Sequence, residues 1–143
     1  PMSLLFRESR DCAALPYRLI KLIRAPEDRG ELHKRIDGRF HQMLADGFEA
    51  EVRGLWDRGD LSPDTPSMRC VGYRQLLKYV LGEYSYRDMV QRGIVATRQL
   101  AKRQFTWLRA EPDVTWLHDN TGLLDAALEI VGSVTPLVEN STS

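Results

Sequence analysis

The sequence predicts a mostly helical chain, with about five helices and one or two short strands. Three observations carry this. Apolar residues recur at three- and four-residue spacing through most of the chain. Residues that start and stop helices bracket those stretches. Only two short segments, Leu15–Ala25 and Val114–Leu117, read as strands. A chain of 143 residues suits one domain that buries roughly 68–70% of its unfolded surface, enough for a real core.

The elements follow in order. LPYRLIKLIRA, residues 15–25, alternates apolar and basic residues, is rich in β-formers and is bounded by Pro16 and Pro26. Pro26, Asp28 and Glu31 then mark a helix start, with negative charge where the helix dipole favours it. Leu32, Ile36, Phe40, Met43 and Leu44 give that helix an apolar stripe as far as Gly47. A second short helix carries Val52, Leu55 and Trp56 and stops at Gly59. DLSPDTPS, with Pro63 and Pro66, is a loop. Ser67 is expected to cap a helix to about Leu81, closed by Gly82, and Ser85 with Asp88 forms a loose capping box for a helix over Tyr86–Arg109. After Pro112 comes VTWL, then Thr121 as cap of a last helix with Leu124, Leu128 and Val131.

Two short strands pair only marginally in water, and a strand flanked by helices usually belongs to a larger open sheet. With Pro1 rather than Met at the start, the expectation is a piece of a longer protein. An all-helical domain with a strand-like lead-in is the alternative. The expected organisation is residues 1–25 as lead-in and sheet strand, 26–110 as a helical region, 111–135 as strand and C-terminal helix, and 136–143 as a flexible tail.

Composition excludes several classes. The chain is too apolar, at 43% hydrophobic residues, and too balanced in charge to be disordered. No apolar run reaches the length of a membrane span and no basic-then-apolar leader opens the chain. Two cysteines, Cys12 and Cys70, are too few for a disulfide scaffold or a zinc site, so a soluble cytoplasmic protein is expected. His33, His41 and His118 show no metal spacing. No phosphate-loop, nucleophile-elbow or zinc-protease motif occurs, and no catalytic set is complete.

Zero net charge hides an uneven distribution. Residues 1–65 carry net −1, residues 66–109 net +7 and residues 110–143 net −6. A basic block between neutral and acidic ones points to a polyanion partner. Placed on a helical wheel with Arg98 at zero, Arg109 and Lys102 fall within about 40°, and Arg92 and Arg103 at about 120–140°. Trp107, Leu100, Thr97, Val90, Leu108, Ala101 and Ile94 share the other side, the expected buried stripe, with Phe105 on the border. A solvated face whose arginines snorkel over the core is the bland reading. The run without an acid after Asp88 favours phosphate binding instead.

Arg69-Cys70-Val71-Gly72-Tyr73-Arg74-Gln75 is the second constellation. Gly admits close approach, Arg and Gln can bond base edges, and Tyr73 can stack on a base. An ordinary helix start with a packed Tyr fits these residues equally well. Arg39, next to the core position Phe40, needs an anion; by spacing alone an acid such as Asp37 or Asp46 is favoured over a ligand.

Residues 15–44, then GFEAEVRGL, RGDL, SMRCVGYRQ and ATRQLAKRQFTWLR, together resemble the carboxy-terminal half of bacterial tRNA dimethylallyltransferases (tRNA isopentenyltransferases). The resemblance runs from about Leu15 to Leu117 in the family's order. It implies the C-terminal part of a P-loop-type α/β enzyme with a helical insertion and a central channel. The tRNA anticodon stem-loop enters from one side and dimethylallyl diphosphate from the other. The exocyclic amine of the adenosine 3′ of the anticodon, flipped into the channel, takes the prenyl group while diphosphate leaves.

By resemblance, Arg39 reaches the diphosphate. Arg69, Cys70, Val71, Gly72, Tyr73 and Arg74 match one tRNA-contacting segment, and Lys102, Arg103, Gln104, Phe105, Thr106, Trp107, Leu108 and Arg109 match a second. Gln75 and Arg98 join them from the residue-level reading. The family's glycine-rich phosphate loop, catalytic aspartate and helical insertion are not in this sequence. The chain alone is therefore expected to be inactive and to bind no cofactor, with Mg²⁺ expected for the complete enzyme and the N-terminal core of the same protein as a partner. The rivals are a stand-alone helical RNA-binding module and a helical protein-interaction domain.

Overall fold

A computed structural model describes residues 19–118 and 122–133. The order of elements is β1 (Lys21–Ala25), α1 (Arg29–Ala45), α2 (Phe48–Asp57), α3 (Tyr73–Val80), α4 (Tyr86–Ala110), β2 (Val114–His118) and α5 (Leu123–Gly132). The mostly helical class with two short strands is the one the sequence predicts. The described residues form two compact units, one helical and one built on the strands.

The helical unit holds α1 to α4. Asp28 caps α1 by accepting the Gly30 N–H at 2.8 Å, and Glu31 stands in the first turn, as the dipole favours. Gly47, at φ +100°, ends that segment and opens α2. α1 and α3 both pack on α4, and α2 packs on α1 and α3. Ile36, Phe40, Phe48, Val52, Met68, Leu76, Leu77, Met89 and Ile94 are the buried centre. At Gly93 the helices meet closely: a Cβ there would fall 2.2 Å from Cζ of Phe40, so only glycine allows the approach.

Two expectations need correction here. Ser67 does not cap a helix to Leu81; residues 66–71 are turns, with the Cys70 N–H bonded to the Ser67 carbonyl, and α3 begins at Tyr73. The cause is Gly72, whose φ of +95° breaks helical continuity and whose buried backbone sits against the Phe48 ring. Its N–H is instead satisfied by Oε1 of Gln75 at 2.9 Å. The second correction concerns the apolar stripe of α4. Ser85 caps this helix as its box implies, accepting the Asp88 N–H at 3.1 Å. Burial, however, covers Met89, Gly93 and Ile94 and does not extend to Trp107, 71% exposed, or Leu108, 36% exposed. Helical period tells which face is apolar; it does not supply an element to cover that face.

The other unit pairs β1 with β2 in parallel, with Ile23 opposite Trp116 and Ala25 opposite His118. The strand over 15–25 is shorter than expected, Lys21–Ala25; its positions 15–18 lie outside the described residues. α5 packs on β2 and follows Gly122, at φ +92°. The expected Thr121 cap, the tail beyond Pro136 and Cys12 also lie outside the described residues.

Candidate nucleic-acid interface

The outer surface of α4 is flanked by two grooves of the helical unit. The first, of about 480 Å³, runs between the start of α1 and the end of α4. Arg29, Arg98, Lys102 and Arg109 bring four cations to it against one acid, Glu27, while Leu32, Val95, Ala101 and Phe105 give it an apolar wall. The second, of about 400 Å³, lies between α3 and α4, where Arg74, Lys78 and Arg92 meet Tyr84 and Gln91. Val95 and Gln99 line both, so the grooves adjoin along one ridge of α4.

Partners differ among these cations. The Lys78 ammonium pairs with Glu83 at 2.8 Å, which raises its pKa above the ordinary lysine value. The Arg92 guanidinium sits 4.7 Å from the centre of the Tyr84 ring, a cation–π arrangement that holds it without neutralising it. Arg109 lies 5.9 Å from the Phe105 ring centre. Arg98 is half-buried, and its Nε is buried with no hydrogen-bond partner among the described residues. A buried donor left unmade costs about 1–3 kcal/mol, and an anionic oxygen would relieve it.

The 69–75 segment divides by role. Arg69, Cys70 and Arg74 are exposed, and Val71 is half-buried. Gly72 and Gln75 are buried and bonded to each other, so Oε1 of Gln75 is spent on the helix start. Tyr73 donates its hydroxyl to Glu51 and meets Phe48 edge-on at 5.1 Å. That hydrogen bond, with burial, raises its pKa above the ordinary tyrosine value. Of the two readings the segment allowed, the packed tyrosine is the one these contacts favour.

In the second segment, Lys102, Phe105, Thr106 and Arg109 line the first groove, and Thr106 donates its hydroxyl to the Lys102 carbonyl at 3.0 Å. Arg103, Gln104, Trp107 and Leu108 are exposed and line neither groove. Arg39 is exposed on α1, lines neither groove, and has no ion-pair partner among the described residues. Asp46 is bonded to Gln42 at 2.8 Å rather than to Arg39, and Arg35 pairs with Glu31 at 2.8 Å. The structural ion pair favoured by spacing is therefore not formed.

Sequence reading missed Arg29 and His33, which stand four apart on the face of α1 that meets α4. That spacing was the available signal. It also missed the meeting of Lys78, Tyr84 and Arg92, which no local motif announces. Among the described residues no three His, Cys, Asp or Glu side chains converge to hold a metal, and no helix is long and apolar enough to cross a membrane.

Comparison with known proteins bears on the family and the fold. The solved structure of the full-length tRNA isopentenylpyrophosphate transferase of Bacillus halodurans is 26% identical, with a TM-score of 0.74, over 92% of this chain and 44% of that one. The tRNA delta(2)-isopentenylpyrophosphate transferase of Staphylococcus epidermidis is 28% identical, with a TM-score of 0.70, over 91% of this chain and 41% of that one. The chain thus spans less than half the length of these structures. Its residues 1–111 match the family model of the IPP transferases, and the chain belongs to that family.

Proposed function

We propose that this chain is the RNA-contacting part of a tRNA dimethylallyltransferase. In the complete enzyme the exocyclic amine of the adenosine 3′ of the anticodon attacks the allylic carbon of dimethylallyl diphosphate. A C–N bond forms, the C–O bond to diphosphate breaks, and the amine gives up a proton. The observation that carries the reading is the pair of adjoining cationic grooves along α4, a helix with no acid after Asp88, in a member of this family.

Each residue's part follows from its chemistry. Arg98 and Lys102, with Arg103 on the outer face, hold phosphates of the anticodon stem-loop. Arg69, Cys70, Val71 and Arg74 contact the splayed loop, on a scaffold built by Gly72, Tyr73 and Gln75. Arg39, exposed and without an acid partner among the described residues, is available to bind the leaving diphosphate with its bidentate guanidinium. Mg²⁺ belongs to the expectation for the complete enzyme; the described residues offer no three-ligand cluster for it, and no step is assigned through it.

The test uses the full-length protein with unmodified tRNA and dimethylallyl diphosphate. Prenylated adenosine in a nuclease digest is the expected product, and its absence overturns the reading. Arg39→Ala should slow turnover by about 10²–10³ at unchanged tRNA affinity and melting temperature. Arg39→Lys should recover part of the rate. A destabilised but fully competent Arg39→Ala would remove the leaving-group role.

A further inference from the structure

Resting on the tRNA reading, we infer that Glu51 is a positioning residue: from α2 it fixes Tyr73, and through Tyr73 the turn that presents Arg69, Cys70 and Arg74 to the RNA. Residues 66–71 are turns with no helix ladder behind them. Their backbone bonds are local, from the Arg69 N–H to the Thr65 carbonyl and from the Cys70 N–H to the Ser67 carbonyl, both at 3.2 Å. Such a segment keeps one shape only where contacts from outside fix its ends. Buried Met68 anchors its beginning, and Tyr73, the first residue of α3, anchors its end. The second anchor is held by α2. Phe48, Glu51 and Val52, spaced three and four apart, share one face of that helix. Phe48 lies against the Gly72 backbone and meets the Tyr73 ring edge-on, and Glu51 accepts the Tyr73 hydroxyl across 22 positions of sequence. The ring contact supplies packing; the hydroxyl–carboxylate bond is directional and charge-assisted, so it sets where the ring points. The acids of α2 thus divide. Glu49 closes an ion pair with Arg53 inside the helix at 2.9 Å, whereas Glu51 reaches out to another element. Without that tether the turn samples other shapes, and apparent affinity falls with the fraction that stays competent. The loss falls on tRNA binding and spares the chemical step.

The experiment measures steady-state prenylation by the full-length protein, with tRNA and dimethylallyl diphosphate varied in turn. Glu51→Ala should raise KM for tRNA about fivefold, the worth of one ordinary hydrogen bond, at unchanged kcat and unchanged KM for dimethylallyl diphosphate. Tyr73→Phe keeps the ring on Phe48 and removes only the hydroxyl, so it should match Glu51→Ala. Both act through one bond, so the double variant should lose no more than either alone. Glu51→Gln retains an acceptor oxygen and should recover part of the affinity. A Glu51→Ala enzyme with the parent's KM for tRNA, whatever its melting temperature, would overturn the positioning role and leave the tRNA reading intact. Losses that add in the double variant, or that fall on kcat, would do the same. A parent enzyme that forms no prenylated adenosine overturns the tRNA reading and the positioning role together.

Discussion

The two halves of α4 share one amphipathic spacing and have opposite fates. Between residues 86 and 100, Met89, Gly93 and Ile94 are buried against the neighbouring helices. Between 101 and 110 the same period brings up Trp107 and Leu108, and both remain exposed beside Lys102, Arg103 and Arg109. The first half is held by packing. The second is an extension of that rigid rod, kept straight by the helix ladder behind it and free to present charge. A binding surface mounted on a helix whose other end is locked in the core is positioned at little further entropic cost.

The comparison is broken most forcefully at the contact that anchors the first half. Phe40→Ala should cost about 3–5 kcal/mol, through lost burial and the cavity left behind. Gly93→Ala should cost about 1–3 kcal/mol, because its Cβ would meet three atoms of the buried Phe40 ring within 3 Å. Combining Phe40→Leu with Gly93→Ala should be milder than the sum of the single changes, since the smaller side chain makes room. Thermal melts of the parent, Phe40→Ala, Phe40→Leu, Gly93→Ala and the double variant measure this. A Gly93→Ala protein that melts like its parent would show that α1 and α4 sit further apart than described.

Much of this division could be read from residues alone, and the part that could not has a physical cause. Asp28, Gly47, Ser85 and Gly59 mark boundaries because caps and left-handed glycines act within a few residues. Ile36 and Phe40 were legible as core from their spacing. Gly72 fits a ligand opening and a helix start equally well by sequence; its positive φ and the Gln75 bond set the start of α3, displacing the helix from Ser67. The burial expected of Trp107 failed because periodicity holds no information about how far the neighbouring helices reach. Leu32 and Phe105 meet in one groove although 73 positions separate them, a juxtaposition that only tertiary packing creates.

A middling effect is expected at the start of α4. The Ser85 hydroxyl accepts the Asp88 N–H and donates to the Asp88 carboxylate at 2.7 Å. Ser85→Ala removes both bonds and should cost about 1 kcal/mol. Ser85→Asp keeps an acceptor for the N–H but adds a like charge beside Asp88, so it should restore less than all of that loss. Melting temperatures of the two variants decide it. A Ser85→Ala protein without any change would mean that packing around Met89 alone holds the first turn.

The smallest changes in stability belong to the exposed end, and they sharpen the comparison by what they do to RNA instead. Lys102, Arg103 and Trp107 are exposed, so Lys102→Gln, Arg103→Gln and Trp107→Ala should each stay within about 0.5 kcal/mol of the parent. For the two cations, the effect falls on the salt dependence of tRNA binding, where each lost phosphate contact lowers the slope by about 1. Trp107 carries no charge, so its loss should leave the slope alone; if its indole meets a base, affinity falls by about 1–3 kcal/mol at every salt concentration. Fluorescence titrations at several ionic strengths, run beside thermal melts, separate the cases. Should Lys102→Gln lower the melting temperature as far as Gly93→Ala does, the end of α4 is part of the core after all, and its charge is not there to meet RNA.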